Sequence, residues 1–215
     1  WPVHQLFNTL VEVDDQLQVK PSLALRWEFS TDKKEIRFYL RDDVYFHDDA
    51  CFPQSKGRKL VAADVVYSFN RIINPATASP GAWVFNDRIS AAQPFMAIGD
   101  SVFVLKLNKP FQPLLGMLSM QYCSVVAPEA VAYYGSQFRR HPVGSGPFRF
   151  LSWEEGQALI LQRNPVYFET DSLGKRLPHL DGIKVSFFEN KSTEFLEFKQ
   201  GRLDFVNDFD PSFKD

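Results

Sequence analysis

Ser145 lies between two glycines, and this is the pattern in the sequence that most resembles a catalytic motif. The nucleophile elbow of serine hydrolases requires a glycine two residues before and two residues after the serine. Those two positions hold Val143 and Pro147, so the motif is not formed. The sequence therefore predicts no serine nucleophile at this position.

Histidines and carboxylates also lack the spacing of a reactive site. No two histidines are separated by four residues, and there is no HExxH motif and no glycine-rich phosphate loop. The segment 47–49 is interpreted as a turn at a strand end, and Glu154 and Glu155 as a solvated hairpin tip. We therefore expect a protein that is not an enzyme and has no catalytic residue, metal site or cofactor. The four histidines are His4, His47, His141 and His179.

The two cysteines, Cys51 and Cys123, do not form a metal-binding or redox motif. A disulfide requires that their Cα atoms lie within about 7 Å, which the sequence alone cannot establish. Two separate thiols are the preferred interpretation, and a disulfide stays open as the alternative.

The loop 142–147 contains two prolines and two glycines, so it must follow a tight, non-repeating path. We expect Gly144 and Gly146 to adopt positive φ angles, which glycine tolerates without steric cost. The loop is interpreted as one that shapes the backbone, and a ligand-facing role is the alternative.

The composition fits a globular chain with an aromatic core. The 215 residues are 45% hydrophobic and include 21 Phe, and 24 basic residues oppose 26 acidic ones. Neither a basic stripe nor an apolar run of about 18 residues is present, so we expect no nucleic-acid partner and no membrane helix. Because the chain starts at Trp1, we expect it to be a piece of a longer protein. A solvated acidic surface is expected near the end, at Asp204, Asp208, Asp210 and Asp215.

Hydrophobic periodicity predicts a mixture of strands and helices. Alternating apolar residues indicate strands, and apolar residues three or four apart indicate helices. Ser192 is expected to cap the last helix and Gly201 to end it. This mixture indicates an α/β or α+β fold with mixed sheets. The predicted elements are a hairpin over 27–40, helices over 63–73, 111–118, 128–134 and 192–200, strands over 101–107, 183–188 and 203–206, and a hairpin over 148–163.

A series of short phrases resembles one protein family over nearly the whole chain. Each phrase is weak by itself, but their order and spacing are specific. The phrases are LFNTLV (6–11), PSLA (21–24), FYLRDDVYFHD (38–48), ADVVYSF (63–69), PVGSGPF (142–148), RNP (163–165), LDGI (180–183) and GRLD (201–204). Together they resemble the peptide/nickel-type solute-binding proteins of ABC transporters, which include oligopeptide- and dipeptide-binding proteins.

The resemblance implies a periplasmic-binding-protein-like type II lobe with a smaller inserted α+β domain. Residues 11–121 would form the smaller domain, and residues 1–10 with 122–215 the central part of the first ligand-binding lobe. The second lobe would be absent from this chain. The site would close on its ligand by hinge motion of two lobes.

The implied function is to capture peptides or a related small solute outside the cytoplasmic membrane for import. The implied partners are the solute and an ABC transporter permease. The protein is expected to be a periplasmic or cell-surface monomer, and any membrane contact is expected through a lipid anchor outside this chain.

Two residues are candidates for the ligand-binding wall. In the nickel-binding branch an Ala-Trp pair borders the site, and Ala82 with Trp83 matches that pair, so Trp83 is expected to face the ligand; ordinary packing is the alternative. Tyr122 lies where the chain crosses from the smaller domain into the lobe and is the second candidate. The sequence departs from the family at Asn8-Thr9, where Glu-Gly is usual, and in a longer polar insertion over 49–59, which we expect to be exposed.

Two other classes of function stay open at this point. One is an enzyme on a related scaffold, and the other is a ligand-sensing or protein-interaction surface lipoprotein. Within the transport class, the ligand could be a peptide, a nickel complex, haem or an oligosaccharide.

Overall fold

A computed structural model describes residues 2–207, which form three antiparallel sheets and five α-helices. The strands are β1 (Val11–Val13), β2 (Val19–Pro21), β3 (Ala24–Phe29), β4 (Glu35–Leu40), β5 (Phe95–Ile98), β6 (Val102–Lys106), β7 (Phe148–Glu154), β8 (Ala158–Arg163) and β9 (Gly182–Ser186). The helices are α1 (Pro2–Leu6), α2 (Ala62–Ile73), α3 (Leu114–Met117), α4 (Pro128–Tyr134) and α5 (Lys191–Lys199).

The central sheet has the strand order β3-β4-β6-β5, and α2 packs against β5 and β6. Strands β1 and β2 form a small ribbon, and β7, β8 and β9 form the third sheet. The predicted class of mixed helices and sheets is confirmed.

The first predicted hairpin is formed by β3 and β4. Its alternating pattern places Ile36, Phe38 and Leu40 on the buried face, as expected. Trp27 pairs with Phe38 and is partly buried against the core. Phe29 lies at the end of the edge strand β3 and is 43% exposed.

The helix α2 supplies the centre of an aromatic core. Its apolar stripe buries Phe69, whose ring centroid lies 5.1 to 5.4 Å from those of Phe85, Phe95 and Phe103. Such separations and tilted geometries suit interacting aromatic pairs. The high phenylalanine content of the sequence is therefore used mainly inside the protein.

The C-terminal part of the chain differs from the sequence prediction in two ways. Helix α5 begins before Ser192 and is capped by Asn190, whose Oδ1 accepts the Ser192 backbone N–H at 2.7 Å. The predicted strand 203–206 is not formed, because no strand among residues 2–207 pairs with it. Gly201 does follow the helix, at φ 72°.

Two further predictions are met only over part of their predicted residues. The helical pattern of 111–118 yields only the four residues of α3, flanked by turns. Of the expected acidic surface, Asp204 is exposed, whereas Asp208, Asp210 and Asp215 lie outside the described residues.

The buried residues form one large and one small cluster. The large cluster extends from Leu10 to Val143, and the small one joins Leu6 and Phe7 to strands β7 and β8. The large cluster includes Cys123, so it continues past the predicted domain boundary at 121. The division into a smaller domain and a lobe stays a prediction.

The loop 142–147 is shaped by close backbone contact. A Cβ atom on Gly144 would lie 1.9 Å from the Leu6 carbonyl oxygen, and one on Gly146 would lie 2.6 Å from that of Gln5. Neither glycine has a positive φ angle, so the expectation of left-handed backbone was wrong. Glycine is required here because the end of α1 lies against the loop.

Replacing Gly144 by Ala should destabilise the protein by more than about 2 kcal/mol, because the added methyl overlaps the Leu6 carbonyl. Gly116 in α3 has no atom near its Cβ position, so Gly116→Ala is the matched control. That change should leave stability equal or raise it by up to about 1 kcal/mol. Urea denaturation measures both; equal losses for the two variants would contradict the packing argument.

Candidate functional site

Trp83 lies in a short 3₁₀ turn, Ala82–Val84, and its side chain is 44% exposed. The next two residues, Val84 and Phe85, are fully buried and anchor the turn in the aromatic core. The Trp83 carbonyl accepts a hydrogen bond from the Arg88 guanidinium at 2.5 Å. Trp83 therefore presents an aromatic surface on a fixed backbone.

Tyr122 lies in a second 3₁₀ turn, Gln121–Cys123, and is half-buried. The backbone of Gly81 packs directly against it, since a Cβ on Gly81 would lie 2.4 Å from the Tyr122 Cβ and 2.9 Å from its Cγ. The structure thus brings the turn that carries Trp83 against Tyr122. Gly81 was not singled out in the sequence, because only the tertiary contact makes a glycine necessary there.

A cavity with a volume of about 440 Å³ lies elsewhere, between α1, β1 and the segment 167–169. This volume lies within the usual range for small-molecule sites. Neither Trp83 nor Tyr122 lines it. Its lining residues are His4, Phe7, Asn8, Thr9, Glu12, Val13, Ser119, Pro147, Tyr167 and Glu169.

Hydrogen bonds fix the polar wall of this cavity. Asn8 is buried, its Nδ2 donates to the Tyr167 hydroxyl at 3.1 Å, and its Oδ1 accepts from the Ser145 hydroxyl at 3.0 Å. The Ser145 hydroxyl therefore helps to hold Asn8 in this wall. In the sequence, the Asn8-Thr9 departure from the family pattern was the one signal for this wall.

Two carboxylates, Glu12 and Glu169, line the cavity, and nearby basic side chains offset their charge only in part. Burial, followed by the neighbouring Glu12 carboxylate, raises the pKa of Glu169, while Lys20 and Arg41 oppose the shift. Glu12 pairs with Lys20 at 3.4 Å and accepts a hydrogen bond from Ser22 at 2.8 Å. The cavity lining therefore carries two carboxylates and several neutral polar groups, but no lysine or arginine.

His47 is buried and tied to the 142–147 loop. Its backbone N–H donates to the Gly144 carbonyl at 2.7 Å, and its Nε2 lies 3.0 Å from the Gly146 carbonyl. Asn164 Nδ2 donates to the same carbonyl at 3.0 Å. Burial lowers the pKa of His47 to about 4, and the hydrogen bond to Gly146 opposes this only in part.

A second cavity beside His47 has a volume of only about 40 Å³, enough for water but not for a solute. Its lining residues are His47, Asp48, Asp49, His141, Pro142, Val143, Arg149 and Phe150. His47 is uncharged at neutral pH and holds the 142–147 loop through its contacts with the Gly144 and Gly146 carbonyls. It is therefore a structural residue.

The lowered pKa of His47 predicts a loss of stability in acid. The unfolded chain binds the proton near pH 6.5 and the folded chain only near pH 4. Stability that is full above pH 6.5 is therefore lost as the pH falls to 4, by up to about 3 kcal/mol. His47→Gln should remove this component, and denaturation at several pH values measures it. Parallel pH profiles for the two proteins would contradict the assignment.

Cys51 and Cys123 are free thiols, half-buried and buried respectively. Burial raises the pKa of each thiol to about 12, so neither is a thiolate at neutral pH. Between residues 2 and 207, no three metal-ligating side chains are grouped so as to hold an ion. Over the same range every helix is too short or too polar to cross a membrane.

Comparison with known proteins gives a family match over most of the chain. The model of the family "Bacterial extracellular solute-binding proteins, family 5 Middle" matches residues 18–215. A protein of Pseudomonas aeruginosa named probable di/tripeptide-binding protein 5 is 35% identical over 211 residues, which cover 91% of this chain and 38% of the relative. Heme-binding protein A of Haemophilus influenzae is 27% identical, covering 94% of this chain and 38% of the relative.

A solved structure has the same fold. The periplasmic binding protein DppA of Helicobacter pylori, in complex with the peptide STSA, matches with a TM-score of 0.78 and 28% identity. The match covers 93% of this chain and 40% of the solved one. The chain thus spans about two fifths of the length of these relatives.

Proposed function

Because this chain belongs to the bacterial extracellular solute-binding proteins of family 5, we propose that it is part of the substrate-binding component of an ABC transporter. The whole protein captures peptides or a related small solute outside the cytoplasmic membrane and presents them to a permease. The observation that carries this proposal is the match over 91% of the chain to a relative named for di/tripeptide binding.

Short peptides are the proposed ligand class. The structural relative DppA was solved with the peptide STSA, and the exposed Trp83 on its fixed turn offers a flat surface for a peptide chain. Peptides bound in an extended conformation use main-chain hydrogen bonds for affinity, which suits broad specificity. Since one relative is named for haem, haem is the ligand to test beside peptides.

Trp83 and Tyr122 are proposed as ligand-facing residues of one wall of the site. The contact of Gly81 with Tyr122 supports this pairing, because it holds the two turns side by side. An exposed tryptophan whose turn is anchored by two fully buried residues is well ordered for binding.

The proposed organisation is a smaller domain over 11–121, attached to the central part of a first lobe formed by 1–10 and 122–215. A second lobe belongs to the remainder of the longer protein. Uncovered apolar side chains in the third sheet, in α5 and in the segments beside them support this, because patches of this kind mark contact surfaces. They are Leu151, Val166, Leu173, Leu180, Phe187, Leu196, Phe198 and Phe205, and α5 buries none of its residues.

The proposed mechanism is capture by closure of two lobes, after which the permease reads the closed form. The protein acts without catalysis, as a monomer in the periplasm or at the cell surface, with no nucleic-acid partner. Attachment to the membrane, where it occurs, is by a lipid anchor outside this chain.

Thermal unfolding of the full-length protein and of this chain tests the proposal against di- to octapeptides, nickel chelates and haem. A ligand at 100 times its Kd should stabilise the full-length protein by about 2.7 kcal/mol. The single chain should shift much less, because one wall loses most of the contact area. If the full-length protein shifts with none of these solutes but captures a purified protein partner, transport is the wrong function.

Substitution of Trp83 tests the proposed wall. In the full-length protein Trp83→Ala should raise the Kd for the identified ligand about tenfold, or about 1.4 kcal/mol. Trp153→Ala is the matched control, because that ring lies on β7 beneath Arg139 and Arg140. Isothermal titration calorimetry measures both, and an unchanged Kd for Trp83→Ala would assign that ring to ordinary packing.

A further inference from the structure

Arg58 uses all five of its N–H groups in hydrogen bonds. Two bonds go to the Asp64 carboxylate at 2.7 and 2.8 Å, and two go to the Glu129 carboxylate at 2.6 and 2.9 Å. The fifth goes to the Lys59 carbonyl at 2.9 Å. A planar guanidinium can hold two carboxylates in this double-forked geometry, and an ammonium cannot.

These bonds join two neighbouring segments of the chain to a distant one, since Asp64 lies six residues from Arg58 and Glu129 lies 71 residues from it. Arg58 is the last residue but one of the polar insertion, Asp64 lies in the first turn of α2, and Glu129 lies in the first turn of α4. Asp64 is only 2% exposed and also accepts the Val61 N–H at 2.9 Å, so its charge depends on Arg58 for compensation. The Arg58 guanidinium in turn holds the pKa of Glu129 below its usual value.

Further contacts connect the same elements. Ser68 in α2 accepts the Val126 backbone N–H at 2.9 Å. The insertion, expected to be exposed, buries Phe52, whose ring stacks on Phe46 at 6.0 Å. Asp49 accepts a hydrogen bond from the Tyr134 hydroxyl of α4 at 2.9 Å. The insertion therefore contacts both α2 and α4 and connects the two helices.

The helices joined by these contacts lie close in the chain to the two residues of the proposed wall. Helix α2 leads through a short connection to the turn of Trp83, and α4 follows shortly after the turn of Tyr122. The contacts between α2 and α4 cross the predicted boundary at 121 between the smaller domain and the lobe. A boundary crossed by a fully bonded guanidinium and by a continuous apolar core is a poor hinge.

We infer that Arg58 is a positioning residue, which fixes α4 on α2 and makes the smaller domain and the lobe one rigid body. On the proposed function, this body carries Trp83 and Tyr122 as a preformed wall. Closure of the full-length protein on its solute then occurs elsewhere than at the boundary between 121 and 122.

Spin-label distances in the full-length protein test this inference without any ligand. Labels are placed at the exposed positions Lys33 and Ala132, across the boundary, in a Cys51→Ser and Cys123→Ala background. A second pair at Lys33 and Ile98 reports on the central sheet alone. The parent protein should give narrow distance distributions for both pairs.

Two substitutions distinguish a positioning role of Arg58 from a general contribution to the stability of the fold. Glu129→Gln removes the charge and one of the two acceptor oxygens of the fork to α4, but leaves the bonds of Arg58 to buried Asp64, so this variant should fold. Arg58→Lys keeps the charge but cannot make both forks. Each should shift and broaden the Lys33–Ala132 distribution and leave the Lys33–Ile98 distribution unchanged.

Arg37→Lys is the control, because Arg37 pairs with Glu35 within the same strand. It should change neither distribution. The inference is overturned if folded Glu129→Gln and Arg58→Lys proteins keep the parent distribution, or if the parent distribution across the boundary is itself broad. Because no ligand is used, failure here is distinct from failure of the transport function.

Discussion

The backbone contact between the end of α1 and residues 144–146 is the constraint on which the rest of the structure depends. The Leu6 carbonyl accepts the Gly146 N–H at 2.9 Å, while Gly144 leaves no room for a side chain. This contact lies where the small apolar cluster meets the large one, and it also presents the Gly146 carbonyl to His47 and Asn164. One close approach of two chain segments therefore orients the third sheet relative to the central core.

In the same arrangement, the polar residues that could act as catalytic groups are buried and hydrogen-bonded. Ser145, His47 and Asn8 have the chemistry of catalytic groups, yet each is buried and committed to hydrogen bonds that hold the loop or the wall of the larger cavity. Two aromatic side chains, Trp83 and Tyr122, stay exposed or half-buried on short turns next to the core. Such a surface suits recognition of a solute by packing and main-chain hydrogen bonds, as solute capture requires.

The continuity of the core bears on how the protein would move. Residues on both sides of position 121 share one apolar cluster, and the forks of Arg58 tie α2 to α4 across it. Several apolar residues in α5 and around the third sheet are uncovered. On the proposed function, the rigid connection near position 121 and the uncovered surface around the third sheet and α5 together favour motion against the proposed second lobe.

The sequence by itself determined the local elements and the family. Periodicity predicted the β3–β4 hairpin, α2, α4 and the β7–β8 hairpin, because apolar spacing follows directly from helix and strand geometry. The resemblance also predicts Trp83 and Tyr122 as ligand-facing residues, and this stays a prediction. Only the tertiary structure decided why Gly81, Gly144 and Gly146 are glycines, that Arg58 joins two distant helices, and that Asn8 and Tyr167 share a cavity wall. These features depend on contacts between residues far apart in the chain, and no local pattern records such contacts.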